Sequence, residues 1–206
     1  MKKIPTMFVR VFENHKVVWT GDIFTDPSFK EVLKLGIPTI KFDGACCAII
    51  NGEFYKRYDA KKGKPIPENA IKCQEEADPV TGHLPCWVPV DFSKSEDKWF
   101  VKAYDNTFND YEKSVINTKE YDGTYEAIGP HFQGNPYNEE CDFLIKHGLL
   151  KVHDLKDRTF DGIKNWLETH NEEGIVFWDA EMTHPVCKIK RSDFGLPWPV
   201  KEDKQL

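Results

Sequence analysis

The sequence predicts an α+β domain in which antiparallel sheets pack against a few helices. Nine short apolar runs have the alternation and the β-branched or aromatic content of strands, whereas helical signals occur in only three places. The chain has 206 residues, of which 40% are hydrophobic, and this suffices for one domain with a sizeable core. We therefore expect a single domain over residues 1–206.

The predicted strands are spread along the whole chain. They are MFVRVF (7–12), KVVWT (16–20), ACCAII (45–50), EFYKRY (53–58), CWVPV (86–90), KWFVKAY (98–104), TYEAIG (124–129), GIVFW (174–178) and HPVCKIK (184–190). The run IKF at 40–42 is also expected in a strand. Residues 59–85 are polar and contain several glycines and prolines, so they are predicted to form a long loop or a lid.

Three segments carry helix signals. The first covers residues 27–35, between a good N-cap at Asp26 and a stop at Gly36. The second is predicted over residues 139–148, because three acids fall in its positive first turn. The third is predicted over residues 160–171, where the apolar residues fall on one helical face.

Charge and cysteine content narrow the function classes. A net charge of −6 argues against a protein that coats nucleic acid, although it does not exclude one that grips a terminus. The six cysteines include no CxxC pair, which predicts reduced thiols in an intracellular, reducing compartment. No run approaches the roughly 18 apolar residues of a membrane span, and no signal peptide is recognisable, so no membrane association is expected.

A lysine stands in the predicted strand at 40–42, inside the run IKFDG. Lys41 and Asp43 are two residues apart, so both side chains face the same side of an extended chain, and Gly44 permits a close approach of backbone or ligand. Such an amine is either half of a salt bridge or a nucleophile. A nucleophilic lysine has to be neutral, and nearby cations lower its pKa.

Other charged residues are candidates for the same site as Lys41. Lys188 and Lys190 lie on one face of a predicted strand near residue 190. Either they bind a polyphosphate, or they belong to an exposed edge strand that carries lysines. Glu126 and Glu173 are candidate metal or sugar ligands, or ordinary surface acids. Arg57 is able to hold a phosphate through two hydrogen bonds, or is a surface residue in a basic run.

The order of these elements resembles that of a known enzyme superfamily. K-x-D-G at 41–44, Arg57, the pair at 125–126, E-G-I-V at 173–176 and K-x-K at 188–190 resemble the motifs of covalent nucleotidyltransferases, which include DNA and RNA ligases and capping enzymes. IPTIKFDGACC and GTYEAIGPHFQGNP are similar to the signatures of small single-domain ATP-dependent 5′-to-3′ RNA ligases of animal and viral type. The resemblance extends from about residue 5 to 195.

The resemblance implies a nucleotidyltransferase fold, an ATP-grasp-like ligase adenylation domain, and a set of residue roles. Lys41 would attack the α-phosphorus of ATP, while Lys188 and Lys190 hold the α-phosphate. The remaining nucleotide-binding residues would be Asp43, Gly44, Arg57, Glu126 and Glu173. Glu126 would contact the ribose and Glu173 would hold Mg²⁺ or Mn²⁺, with Glu126 as a second metal candidate. The partners would be two RNA ends, a 5′-phosphate donor and a 3′-hydroxyl acceptor.

Some features depart from the family pattern or leave alternatives open. Lys56 stands before Arg57, where serine is frequent, and the residue that stacks on adenine is Phe132, Phe143 or Phe160. Because only 16 residues follow Lys190, no OB domain is expected, and this favours a minimal RNA ligase over a capping enzyme. The alternatives are DNA nick sealing, capping-type chemistry, or a non-catalytic nucleotide- or RNA-binding module.

Overall fold

The computed structural model describes residues 1–14, 16–79, 81–108 and 119–200. All paired strands in these ranges are antiparallel, which together with a small number of helices confirms the predicted α+β class. The strands are β1 Phe8–Glu13, β2 Lys16–Phe24, β3 Ile37–Lys41, β4 Ala45–Ile50, β5 Glu53–Ala60, β6 Ile71–Lys72, β7 Leu84–Pro89, β8 Gly123–Ile128, β9 Phe143–Lys146, β10 Gly174–Trp178 and β11 Pro185–Lys190. The α-helices described are α1 Phe29–Leu35, α2 Lys98–Thr107 and α3 Phe160–Thr169.

Two compact units make up the described chain. The six-stranded unit contains Met1–Lys3 and Asp43–His147, within the described ranges. The three-stranded unit contains Ile4–Phe42 and the described part of Gly148–Leu206.

The six-stranded unit is built on one sheet with the strand order β6-β7-β5-β4-β8-β9. Alternation along β4 sends Cys47 and Ile49 to the face that packs against α2, where Tyr104 and Phe108 join the core. The other face carries Ala48, Tyr55 and Trp87, with Cys46 and Met1 beside them. Both faces of the sheet are therefore partly covered, and polar side chains on the second face lie next to apolar ones.

The three-stranded unit combines the sheet β11-β10-β3 with the hairpin β1-β2 and two helices. Its core gathers large apolar side chains from all of these elements: Met7, Phe8, Phe29, Ile163, Trp166, Leu167, Ile175, Phe177 and Ile189. The Thr159 hydroxyl accepts a hydrogen bond from the Gly162 N–H, so α3 begins as the sequence predicts.

The prediction of a strand at KWFVKAY is wrong, because these residues begin α2. A run of seven residues fits a period of two as well as a helical period. What favours the helix is that Phe100, Tyr104 and Phe108, each four residues apart, pack in the same core. Phe100 lies edge-on to Phe54, at 6.4 Å between ring centroids, so the helix packs directly on the sheet.

The prediction of a helix over residues 139–148 is also wrong. Phe143–Lys146 forms β9, which pairs with Tyr125–Ile128 of β8. The acid at 142 is not a helix-terminal charge, because Asp142 is fully buried and its Oδ1 accepts the His131 N–H at 3.0 Å. Pairing with a neighbouring strand overrides the local signal here.

The remaining sequence expectations need smaller adjustments. The helix expected over residues 27–35 starts at Phe29, because Asp26 accepts the Ser28 N–H at 2.8 Å and closes a turn before the helix. Residues 59–85 include the end of β5 and the short strand β6. None of the helices in the described ranges combines the length and the apolar character needed to cross a bilayer.

A buried arginine closes the C-terminal end of α3. Arg191 is 4% exposed, and its guanidinium donates to the carbonyls of Leu167, His170 (2.9 Å) and Pro197 (2.8 Å). Three carbonyl oxygens that would otherwise lack partners are thereby satisfied. Arg191 belongs to the basic run KIKR, yet its role is structural.

We expect Arg191→Met to lower the free energy of unfolding by about 2–4 kcal/mol, because buried carbonyl groups lose their donors. Denaturation in urea measures the loss. The control is Lys164→Met, which removes an exposed cation from α3 and should change the free energy by less than about 0.5 kcal/mol. Equal effects of the two substitutions would contradict the structural role of Arg191.

Candidate functional site

Strand register in the three-stranded unit places three lysines on one face. Gly174 of β10 is opposite both Lys41 of β3 and Lys190 of β11, and Val176 is opposite Lys188. Residues two apart on a strand face the same side, so Lys188 and Lys190 lie together. A Cβ on Gly174 would stand 2.2 Å from the Ile189 carbonyl oxygen, so only glycine allows the strands to approach this closely.

Glu173, directly before β10, holds two of these lysines. Its side chain is 6% exposed, and its two carboxylate oxygens form separate ion pairs, Oε2 with Lys41 and Oε1 with Lys190. The Lys41 ammonium also donates to the Phe42 carbonyl at 3.1 Å. Lys41 is therefore held in place by a carboxylate 132 residues further along the chain.

The third lysine lies in a less favourable environment. Burial, together with the charges of Lys41, Lys190 and Arg10, lowers the pKa of Lys188 to about 8, while Glu173 opposes the shift. Three ammonium groups thus depend on one carboxylate, which already contacts the other two lysines. Such a cluster is suited to a bound anion that carries several charges, such as a phosphate chain.

In the six-stranded unit, Gly44 and Glu126 are in direct contact. The Gly44 N–H donates to Glu126 Oε1 at 3.1 Å. A Cβ on Gly44 would stand 2.2 Å from the Ala127 carbonyl oxygen and 2.9 Å from Glu126 Cγ. The glycine of K-x-D-G is therefore required by the close approach of β8.

Glu126 also meets a histidine that the sequence did not reveal. His147 Nε2 lies 2.9 Å from Glu126 Oε2, and His147 Nδ1 lies 2.9 Å from the Thr124 hydroxyl. Cys46 is opposite Glu126 in the pairing of β4 with β8. Thr124 and Glu126 could have been grouped from their spacing of two, but His147 was hidden by the wrong helix prediction.

The other predicted nucleotide-binding residues of the six-stranded unit lie near the sheet. The Asp43 N–H donates to the Tyr137 hydroxyl at 2.7 Å. Arg57 Nε pairs with Asp59 at 2.8 Å, its Nη1 donates to the Met1 carbonyl at 2.8 Å, and the guanidinium lies 5.7 Å from the Trp87 ring centroid. The phosphate contact of Arg57 stays a prediction.

The three candidates for adenine stacking differ in burial. Phe132 is 5% exposed and packs edge-on against Phe100, with 5.3 Å between ring centroids. Phe160 packs against Phe8 and Phe194 in the other unit. Phe143, at the start of β9, is half-buried.

Comparison with known proteins identifies the family. A family model described as RNA ligase 1 matches residues 57–206, which is more than half of the chain. The chain belongs to the RNA ligase 1 family. The matched range contains Glu126, Glu173, Lys188 and Lys190, whereas Lys41 lies before its start.

Several curated members of the RNA ligase 1 family resemble the chain at low identity. RNA ligase 1 of Danio rerio is 27% identical over 225 residues, which covers 80% of this chain and 69% of the relative. RNA ligase 1 of Pongo abelii is 24% identical over 227 residues, with 81% and 69% coverage. For RNA ligase 1 of Mus musculus the identity is 26% over 169 residues, and the chain spans about half (48%) of the relative's length.

The unfavourable electrostatic environment of the Lys188 ammonium leads to a prediction about the stability of the fold. Because its pKa is about 8 in the folded protein and about 10.5 when unfolded, the charge destabilises the fold below pH 8. We expect Lys188→Met to raise the free energy of unfolding at pH 7 by about 1–2 kcal/mol. The gain should shrink as pH rises from 8 to 10.5, where the wild-type lysine becomes neutral in the folded state first.

The matched control is Lys190→Met, which removes an ion pair with Glu173 and should give no gain. Urea denaturation at several pH values measures both variants. A loss of stability in Lys188→Met at pH 7 would contradict the electrostatic account.

Proposed function

We propose that the chain is an ATP-dependent RNA ligase that works through a covalent lysine–AMP intermediate. The observation that carries the proposal is the cluster of Lys41, Lys188 and Lys190 around Glu173, which offers one lysine to react and two to bind phosphate. Membership in the RNA ligase 1 family supports RNA as the substrate. The proposal includes a nucleotidyltransferase fold and a role in sealing cleaved RNA.

In the first step the Lys41 amine attacks the α-phosphorus of ATP. The nitrogen lone pair forms the N–P bond, the bond from the α-phosphorus to the bridging oxygen breaks, and pyrophosphate leaves. The amine first has to lose its proton. Glu173, which accepts a hydrogen bond from the ammonium, takes this proton and passes it to solvent. Positioning and charge neutralisation carry most of the catalysis in such a displacement.

Lys188 and Lys190 supply the charge neutralisation. A phosphate between them gives Lys188 the anionic partner that its lowered pKa shows it needs. As the phosphate binds, Lys190 is able to exchange Glu173 for a phosphate oxygen. The binding step therefore relieves repulsion that exists in the free protein.

The later steps use the same phosphate contacts. The AMP moves from Lys41 to the 5′-phosphate of one RNA end, and the 3′-hydroxyl of the second end then displaces AMP. In the first of these steps a 5′-phosphate oxygen attacks the α-phosphorus, the N–P bond to Lys41 breaks, and the amine takes a proton from solvent. In the second the 3′-hydroxyl oxygen attacks the RNA 5′-phosphorus, the bond to AMP breaks, and the hydroxyl proton passes to solvent. The same phosphate contacts therefore serve the whole reaction.

The two predicted metal ligands differ in how well they fit Mg²⁺. Glu173 offers carboxylate oxygens, the ligands that Mg²⁺ prefers. Its Oε1 is paired with Lys190, so it would hold the ion once Lys190 has turned to phosphate, and the ion would supply neutralisation of phosphate charge. Glu126 lies beside a thiol and an imidazole, and this donor set does not fit Mg²⁺. The ribose contact that the family resemblance implies for Glu126 stays a prediction.

The first step is tested with ATP labelled at its α-phosphate. Wild-type protein with Mg²⁺ should retain label after denaturation, and the bond should be labile to acid, because it is a phosphoramide. Lys41→Ala should retain none, since it lacks the nucleophile. The control Lys34→Ala removes an exposed lysine at the end of α1 and should label like wild type.

Three outcomes would redirect the proposal. Absence of covalent label despite reversible ATP binding would indicate a nucleotide-binding module. Labelling by GTP in place of ATP would indicate capping-type chemistry. Full labelling of Lys41→Ala would assign the nucleophile to another residue.

Substrate class is tested by strand joining. Pairs of ends that carry a 5′-phosphate and a 3′-hydroxyl should be joined when they are RNA and poorly when they are DNA of the same sequence. Lys188→Ala should lower the joining rate at least about 100-fold, because a phosphate contact is lost in the transition state. Preferential joining of DNA ends would instead indicate that the chain seals nicks in DNA.

A further inference from the structure

A thiol, a carboxylate and an imidazole meet on the second face of the six-stranded sheet. One ligand atom from each of Cys46, Glu126 and His147 lies within 4.8 Å of the other two, and all three residues are half-buried. Cys46 and Glu126 are directly opposite across β4 and β8, and His147 follows β9, the next strand. The sheet itself therefore brings the three donors together.

The imidazole is oriented as metal-binding histidines are. Its Nδ1 faces the Thr124 hydroxyl at 2.9 Å, while Nε2 faces the carboxylate. When Nδ1–H donates to Thr124, the lone pair of Nε2 is free to bind a cation. The Thr124 hydroxyl is then free to direct its own proton toward Met1 Sδ, 4.0 Å away.

The chemistry of the three donors fits a divalent cation. Such a cation replaces the thiol proton, neutralises the carboxylate and accepts the imidazole lone pair. Sulfur, nitrogen and oxygen ligands together select a borderline-soft ion over Mg²⁺ or Ca²⁺.

We propose that Cys46, Glu126 and His147 form a binding site for Zn²⁺. Three protein ligands leave the fourth tetrahedral position open. On binding, the Cys46 S–H bond breaks, the sulfur bonds to zinc, and the proton passes to solvent. The site uses Glu126 Oε2, while Oε1 keeps its hydrogen bond from Gly44.

Occupancy by zinc has a functional consequence, which rests on the proposed function. If Glu126 contacts the ribose of ATP, zinc and nucleotide compete for the same carboxylate. Zinc would then lower the rate of adenylation.

The metal site is tested with Co²⁺ as a spectroscopic probe, in the absence of nucleotide. Reduced, metal-free wild-type protein should develop a thiolate-to-cobalt charge-transfer band, and one equivalent of Zn²⁺ should remove it. Cys46→Ala should lack the band, and His147→Ala should weaken binding about 10-fold or more. The control Cys141→Ala removes an exposed thiol outside the cluster and should keep the band.

A second measurement uses wild-type protein, so it does not require any variant to fold. The imidazole NMR signals of His147 should shift when Zn²⁺ is added to wild type, whereas those of His184, an exposed histidine of the other unit, should not. A cobalt band that survives in Cys46→Ala, or an unshifted His147, would overturn the site.

The competition is tested separately by α-phosphate labelling with Zn²⁺ added over saturating Mg²⁺. Labelling should fall in wild type and in Cys141→Ala, and resist zinc in Cys46→Ala. Unchanged labelling of wild type at zinc concentrations that fill the site would overturn the competition and leave the site standing.

Discussion

The carboxylate of Glu173 is the constraint on which the lysine cluster depends. It directly precedes Gly174 of β10, which is opposite Lys41 of β3 and Lys190 of β11. The two lysines therefore reach the carboxylate from the two strands that flank β10. Without this charge, the ammonium groups on the two strands that flank β10 would repel one another in a half-buried space. The carboxylate satisfies two lysines and leaves Lys188 with too little negative charge. The remaining repulsion costs stability, and a bound anion is the partner that would relieve it.

The sequence predicted the local part of this arrangement. Strand alternation alone placed Lys188 and Lys190 on one face, and the run IKFDG placed Lys41 in a strand. The pairing of Lys41 with Glu173 could not be predicted, since it depends on the register of strands far apart in sequence. The same limit applies to α2 and β9. The run at 98–104 fitted two periods and the acids at 139–142 matched a helix start, but tertiary packing and strand pairing overrode both local signals.

One basic run shows how position separates similar residues. In KIKR, Lys190 forms an ion pair with Glu173, Lys188 is a destabilising cation, and Arg191 is a buried donor to the end of α3. Around Glu126 the reverse holds, because side chains of different types, a thiol, a carboxylate and an imidazole, lie together. Neither the composition nor the runs of charge predict the contacts of KIKR or of Glu126, because these contacts depend on which side chains the sheets bring together.

In the proposed mechanism Lys41 is the nucleophile, and Lys188 and Lys190 hold the phosphate. Peptide mapping by mass spectrometry, after incubation of wild-type protein with ATP and Mg²⁺, locates any bound AMP directly. The account predicts AMP on the peptide that contains Lys41, with pyrophosphate removing it again. AMP on a peptide that contains Lys188 or Lys190, or no adduct while RNA ends are still joined, would contradict it.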